Sequence, residues 1–156
     1  MRGKKGIAIL VGLAALIIAA VLYIQSTCPP KPQADEIMFR VQLDLKEDIG
    51  LLVMDHSVDG HEGGGGVSNA DRSLIRHDDV LYWNFHKSDY EGLGDTVTLK
   101  MRFRIETEYC DPNFDNIYPE ELVRYLEPIT LTADFGRCYP ITITGDRVNG
   151  YDAVLN

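Results

Sequence analysis

The sequence predicts an all-β protein: an antiparallel β-sandwich (Ig-like or similar, about seven strands) preceded by one N-terminal transmembrane helix. Three observations carry that reading. Apolar residues beyond position 36 recur with period two. Only one short stretch of the same region suits a helix, and the long uninterrupted apolar run of the chain lies at its extreme N-terminus.

Residues 1–5 form a basic cap with Arg2, Lys4 and Lys5, and the nineteen residues from Gly6 to Ile24 carry no charge. At about 1.5 Å rise per residue such a run spans roughly 28 Å as a helix, close to the thickness of a bilayer core. The basic flank places the N-terminus in the cytoplasm and the rest of the chain outside. A cleaved signal peptide has a shorter apolar core, about 7–15 residues, and a small-residue exit. Here the exit reads Leu22, Tyr23, Ile24, Gln25, Ser26, Thr27, so the run is expected to stay as an anchor. Cys28 invites comparison with lipidated cysteines, although Gln25, Ser26 and Thr27 match that pattern only weakly.

Residues 25–36, QSTCPPKPQADE, read as a short, semi-stiff proline-rich stalk. Residues 37–156 remain as one extracytoplasmic domain of ordinary size. In it Phe39, Val41, Leu43 and Leu45 alternate with polar residues, as do Val97, Leu99, Met101, Phe103 and Ile105. Ile129, Leu131, Ala133 and Phe135 form a third run, and Tyr139, Ile141 and Ile143 a fourth. Shorter runs at 51–54, 80–85 and 151–155 complete about seven strands, each with one dry face, and two such sheets packed together bury both. The helical candidate is Pro119 to Leu126, where Pro119 suits a first helical position, Glu120 and Glu121 complement the dipole, and Pro128 blocks extension.

Charge excludes one class of function. Without the cap, twelve Lys and Arg face twenty-four Asp and Glu, a net charge of about −12. Such a surface repels phosphate backbones, so no nucleic acid is expected as a partner, and it suits solubility, cations or a basic partner.

Several residue groups are candidates for chemistry. The segment Asp55 to Gly66 holds Asp55, His56, Asp59, His61 and Glu62, which are donor types for a transition metal, with His56 and His61 the imidazoles. Its tetraglycine, Gly63 to Gly66, makes it read as a flexible loop, suited to ligand contact if not to metal. Asp111, Asn113 and Asp115 fall at alternate positions and resemble the first half of an EF-hand calcium loop. Asn116 then stands where that loop has glycine, and Leu122 where it has its bidentate glutamate. Tyr82, Asn84 and His86 share one face of a strand opposite Leu81, Trp83 and Phe85, and could present an aromatic platform to a carbohydrate. Of three cysteines, Cys110 and Cys138 lie in the domain; a bridge between them would stabilise it by a few kcal/mol, about 2–4, with two free thiols as the alternative.

An N-terminal anchor followed by an all-β domain with His61, Cys138 and Arg147 in that order resembles the layout of sortase transpeptidases. The resemblance implies Cys138 as thiolate nucleophile, His61 as its helper and Arg147 at the oxyanion. Residues 134–138 read D-F-G-R-C, however, where sortases carry T-L-x-T-C. No G-x-S-x-G, H-E-x-x-H, P-loop or dinucleotide fingerprint occurs. The expected function is therefore a membrane-anchored binding or interaction module of the cell envelope at the plasma membrane, more an interaction module than an enzyme. Its expected partners are another envelope protein or a carbohydrate, and calcium is the cofactor the acidic loop would take.

Overall fold

The computed structural model describes residues 30–108 and 119–156. The basic cap, the apolar run, Cys28 and the calcium-like loop with Cys110, Asp111, Asn113 and Asp115 lie outside the described residues. Among the described residues no helix is long and apolar enough to cross a membrane. The chain divides into two units, 1–31 and Pro32–Asn156, and the described strands all belong to the second.

That unit is two sheets packed face to face. The first has β1 (Glu36–Leu45), β4 (Val80–His86), β8 (Cys138–Asp146) and β9 (Gly150–Leu155), in the order β4-β1-β8-β9. The second runs β3 (His61–Val67), β2 (Leu51–Val58), β5 (Thr96–Glu106), and then β6 (Val123–Tyr125) and β7 (Ile129–Asp134) along one edge of β5. Alternation sends Ile37, Phe39, Val41 and Leu43 inward from β1, and Val97, Leu99, Met101, Phe103 and Ile105 inward from β5, all essentially without solvent contact. Phe39 meets Phe85 edge-on at 5.7 Å and stacks on Tyr139 at 5.6 Å, while Trp83 of the first sheet meets Phe103 of the second at 6.1 Å. Each such side chain contributes roughly 1.5–3 kcal/mol by leaving water.

Three expectations are corrected. The strands number nine among the described residues, not about seven, because the glycine-rich segment and the stretch after Glu120–Leu122 are drawn into strands by pairing with β2 and β5. The sandwich is not wholly antiparallel: β1 and β8 run parallel, from Met38 opposite Cys138 to Leu45 opposite Gly145. Period-two alternation reports which face is dry and is blind to strand direction. The helix expected at Pro119 to Leu126 is a single 3-10 turn, Glu120–Leu122, followed by β6. There Val123, Arg124 and Tyr125 pair with Glu106, Ile105 and Arg104, and Leu126 is buried with its amide on the Phe103 carbonyl at 3.0 Å. Eight residues offer a helix too few hydrogen bonds to offset nucleation, and the open edge of β5 offers a full ladder. Pro128, lacking an N–H, separates β6 from β7, so one edge strand is laid down in two pieces.

Candidate binding site at the glycine strand

The segment expected as a flexible polar loop is a β-hairpin. Val58 and His61 pair across Asp59 and Gly60, whose φ angles of 46° and 91° are the two positive values a two-residue type I′ turn requires. The Asp59 carboxylate also accepts the Thr98 amide at 2.8 Å, and its own amide reaches the Thr98 carbonyl at 2.9 Å, tying the turn to β5. The Asp-Gly dipeptide between apolar-bearing runs was the sequence signal for this hairpin; the tetraglycine obscured it, because glycine disfavours strands when nothing else holds them. Here β2, fixed by β5 on its other side, holds them: His56, Asp55, Met54 and Val53 stand opposite Gly63, Gly64, Gly65 and Gly66.

The two faces of this glycine strand differ. Towards the interior, a Cβ on Gly63 would lie 2.5 Å from Nε2 of His56, and one on Gly65 would lie 3.9 Å from Nε1 of Trp83. The space is thus filled by an imidazole and an indole from neighbouring strands. His56 packs edge-on against Phe85 at 4.6 Å, its Nε2 is 3.2 Å from the Tyr90 hydroxyl, and its Nδ1 is buried. Burial holds the His56 pKa below its ordinary value of 6.5 and pushes the Tyr90 hydroxyl up. The imidazole is therefore a neutral packing group at neutral pH.

Towards solvent, a Cβ on Gly64 would lie 3.1 Å from Oδ1 of Asp55, and one on Gly66 would lie 3.1 Å from Leu51 Cδ1 and 3.3 Å from Val53 Cγ2. The missing side chains leave an open depression of about 320 Å³ whose lining includes Leu51, Val53, Asp55 and Arg104. A second, of about 250 Å³, adjoins it at Asp55 and is bordered by Ser57, Glu62, Lys100 and Arg102. Two of the basic residues are already engaged. Arg102 lies over the Tyr125 ring at 4.7 Å and donates Nε to the Leu126 carbonyl at 3.2 Å, and Arg104 pairs with the buried Glu106 at 2.9 Å. Burial raises the Glu106 pKa against that pull. Among the described residues, Asp55 and Glu62 take part in none of the ion pairs.

The edge itself is the distinctive feature. Among the described residues β3 pairs only with β2, and 61–66 are all exposed. Edge strands normally carry prolines, bulges or inward charges that deter pairing. This one offers four consecutive glycines, with His61 and Glu62 at one end.

The other sequence candidates are placed as follows. His61 shares the inner side of the hairpin with His56, and its ring lies 5.9 Å from that of Tyr90, so the tyrosine stands against both histidines. Among the described residues no three His, Cys, Asp or Glu side chains gather to hold a metal ion. Tyr82, Asn84 and His86 do share the outer face of β4, opposite Arg40, Met38 and Glu36 of β1, with Leu81, Trp83 and Phe85 turned to the core. Cys138 is an exposed free thiol at the start of β8. Arg147 follows the far end of that strand, roughly 30 Å away at about 3.3 Å per residue, where it pairs with Glu108 at 3.0 Å. His61 belongs to the other sheet, so His61, Cys138 and Arg147 do not form a triad.

No protein family and no curated protein matches the chain. Among solved structures it is similar to a disulfide-locked mutant of intermedilysin with human CD59, at 10% identity and a TM-score of 0.39 over 78% of this chain and 24% of that one. It is similar to pneumolysin at 10% identity and 0.39, over 78% and 23%. A Gram-negative toxin gives 6% identity and 0.40, over 79% and 23%. The chain spans about a quarter of the length of each. Likeness at that level carries no argument about what the domain binds.

Proposed function

We propose that the protein is a single-pass, membrane-anchored binding module of the cell envelope whose extracytoplasmic domain takes up an extended polypeptide segment by strand addition at β3. The anchor and its N-in orientation rest on the basic cap and the charge-free run from Gly6 to Ile24. The binding mode rests on one observation, the exposed glycine strand that among the described residues pairs with β2 alone. An added strand gains main-chain hydrogen bonds along the edge and draws specificity from the sites its alternate side chains reach. Glycines suit the receiving strand because no side chain stands between the incoming residues and β2.

The test uses full-length protein in detergent micelles and a panel of capped heptapeptides, threonine throughout except at the third and fifth positions, where Lys, Arg, Glu, Thr, Val and Leu are permuted. Binding is followed by Trp83, the single tryptophan of the chain. The tightest binder is then N-methylated at its odd or at its even residues. Strand addition expects one methylation phase to abolish binding and the other to leave it largely intact, since only alternate amides face β3. Failure of every peptide to bind, or equal binding by both methylated forms, contradicts it.

A further inference from the structure

Resting on that reading, we infer that the segment accepted at β3 belongs to a separate polypeptide and carries a basic residue opposite Gly64 with an apolar residue two positions away, opposite Gly66. The geometry of the outer face points to this chemistry. Side chains of an added strand alternate, and those facing outward pass over Gly64 and Gly66, the two glycines whose absent Cβ atoms open the depression. Strands in a sheet lie about 4.8 Å apart, so a residue opposite an ordinary edge residue touches that residue's side chain and goes no further. Opposite Gly64 nothing intervenes, and the next group inward is the carboxylate of Asp55, whose Oδ1 leans to 3.1 Å from the vacant Cβ position. A lysine or arginine has the length to reach it. Two residues on, opposite Gly66, the next groups inward are Leu51 Cδ1 and Val53 Cγ2, nearly buried side chains that line the bottom of the depression.

Charge complementarity favours a cation at the first position. Asp55 and Glu62 both project to the outer face beside the edge and take part in none of the described ion pairs; one strand further in, Arg102 opposite Asp55 is turned onto the Tyr125 ring and the Leu126 carbonyl, Arg104 pairs with Glu106, and Lys100 stands beyond Ser57, so Asp55 and Glu62 are the charges nearest the edge. A second copy of this chain fits poorly, since its β3 would bring glycines and another Glu62 to an acidic edge. Between the two outward positions one residue of the incoming strand faces inward beside Trp83, which lies near Gly65, so Trp83 reports occupancy.

In the same panel, lysine paired with valine or leucine is expected to bind best, and exchange of that lysine for glutamate should weaken binding by about tenfold or more, as for a lost and inverted charge pair. The variant Asp55→Asn, on an exposed side chain, should bring lysine- and threonine-bearing peptides to within about threefold of each other without changing the phase of N-methylation that blocks binding. Binding that shows the methylation phase but no preference for lysine, or a preference that survives Asp55→Asn, overturns this inference and leaves strand addition standing. Absence of binding across the panel overturns both.

Discussion

Replacing Gly145 by alanine is expected to destabilise the domain by more than about 3 kcal/mol, the largest effect of any single methyl group added to this fold. Gly145 has φ of +115° and is paired on both sides, with Leu45 of β1 and Tyr151 of β9. A Cβ there would lie 2.2 Å from the Gly150 carbonyl oxygen and 2.8 Å from the Tyr151 Cα. Both are backbone atoms of the neighbouring strand, so relief requires moving that strand and not a rotamer. Gly150 is the control. Its φ is +93°, but nothing lies within 4 Å of its Cβ position, and Gly150→Ala should cost only the conformational penalty of about 1–2 kcal/mol. Urea unfolding followed by Trp83 fluorescence separates the two; equal losses would show that φ alone, without the clash, sets the cost.

The two inward glycines of β3 are expected to respond to alanine with opposite signs. Glycine in a strand is worth about 0.5–1 kcal/mol less than alanine, so Gly65→Ala, whose Cβ meets Trp83 at an ordinary 3.9 Å, should stabilise by roughly that amount. At Gly63 the Cβ falls 2.5 Å from His56 Nε2 and the imidazole must leave. It then loses the Tyr90 bond and the edge contact with Phe85, each about 1 kcal/mol, so Gly63→Ala should destabilise by about 1–2 kcal/mol net. In the double variant His56→Ala with Gly63→Ala the penalty of the second substitution should vanish. The same histidine gives a pH signature. Its folded pKa is lowered by burial, so the unfolded chain takes up the proton first. Stability is fully present above the unfolded value of about 6.5 and falls as pH drops from there towards the lowered folded value. His56→Ala should flatten that slope, and a slope unchanged by the substitution would place its origin elsewhere.

Much of this architecture was legible in the residues because burial and alternation are one signal. The dry faces of β1, β5, β7 and β8 read directly from Phe39 to Leu45, Val97 to Ile105, Ile129 to Ala133 and Tyr139 to Ile143. The inward turn of Leu81, Trp83 and Phe85, with Tyr82 outside, followed from the same pleat. What escaped was whatever depends on a partner strand. The parallel pairing of β1 with β8 leaves no mark on either strand's pattern. Glycines 63–66 have no side chains with which to show a period, and they form a strand only because β2 and the Asp59–Gly60 turn impose one. The acids at Glu120 and Glu121 and the proline at Pro119 looked like a helix start, and edge pairing by Val123 to Tyr125 overrode that local preference. For the site, the residues of Asp55 to Gly66 suggest a flexible polar loop, and the structure makes the segment a hairpin strand. Which side chain meets solvent there depends on the pleat of β2, which turns His56 inward onto Tyr90 and Phe85 and leaves Asp55 facing the open depression.

Among the described residues β3 pairs with β2 alone, which leaves its other edge open to the strand addition proposed above. Residue-resolved amide hydrogen exchange across 61–67, in full-length protein with and without the tightest-binding heptapeptide, tests it most directly. The account predicts alternating behaviour in the free protein: amides bonded to β2 exchange slowly, those facing away exchange fast, and the fast set alone becomes protected when peptide binds. Uniform protection along β3 in the free protein, or bound peptide that leaves the fast amides fast, would contradict it.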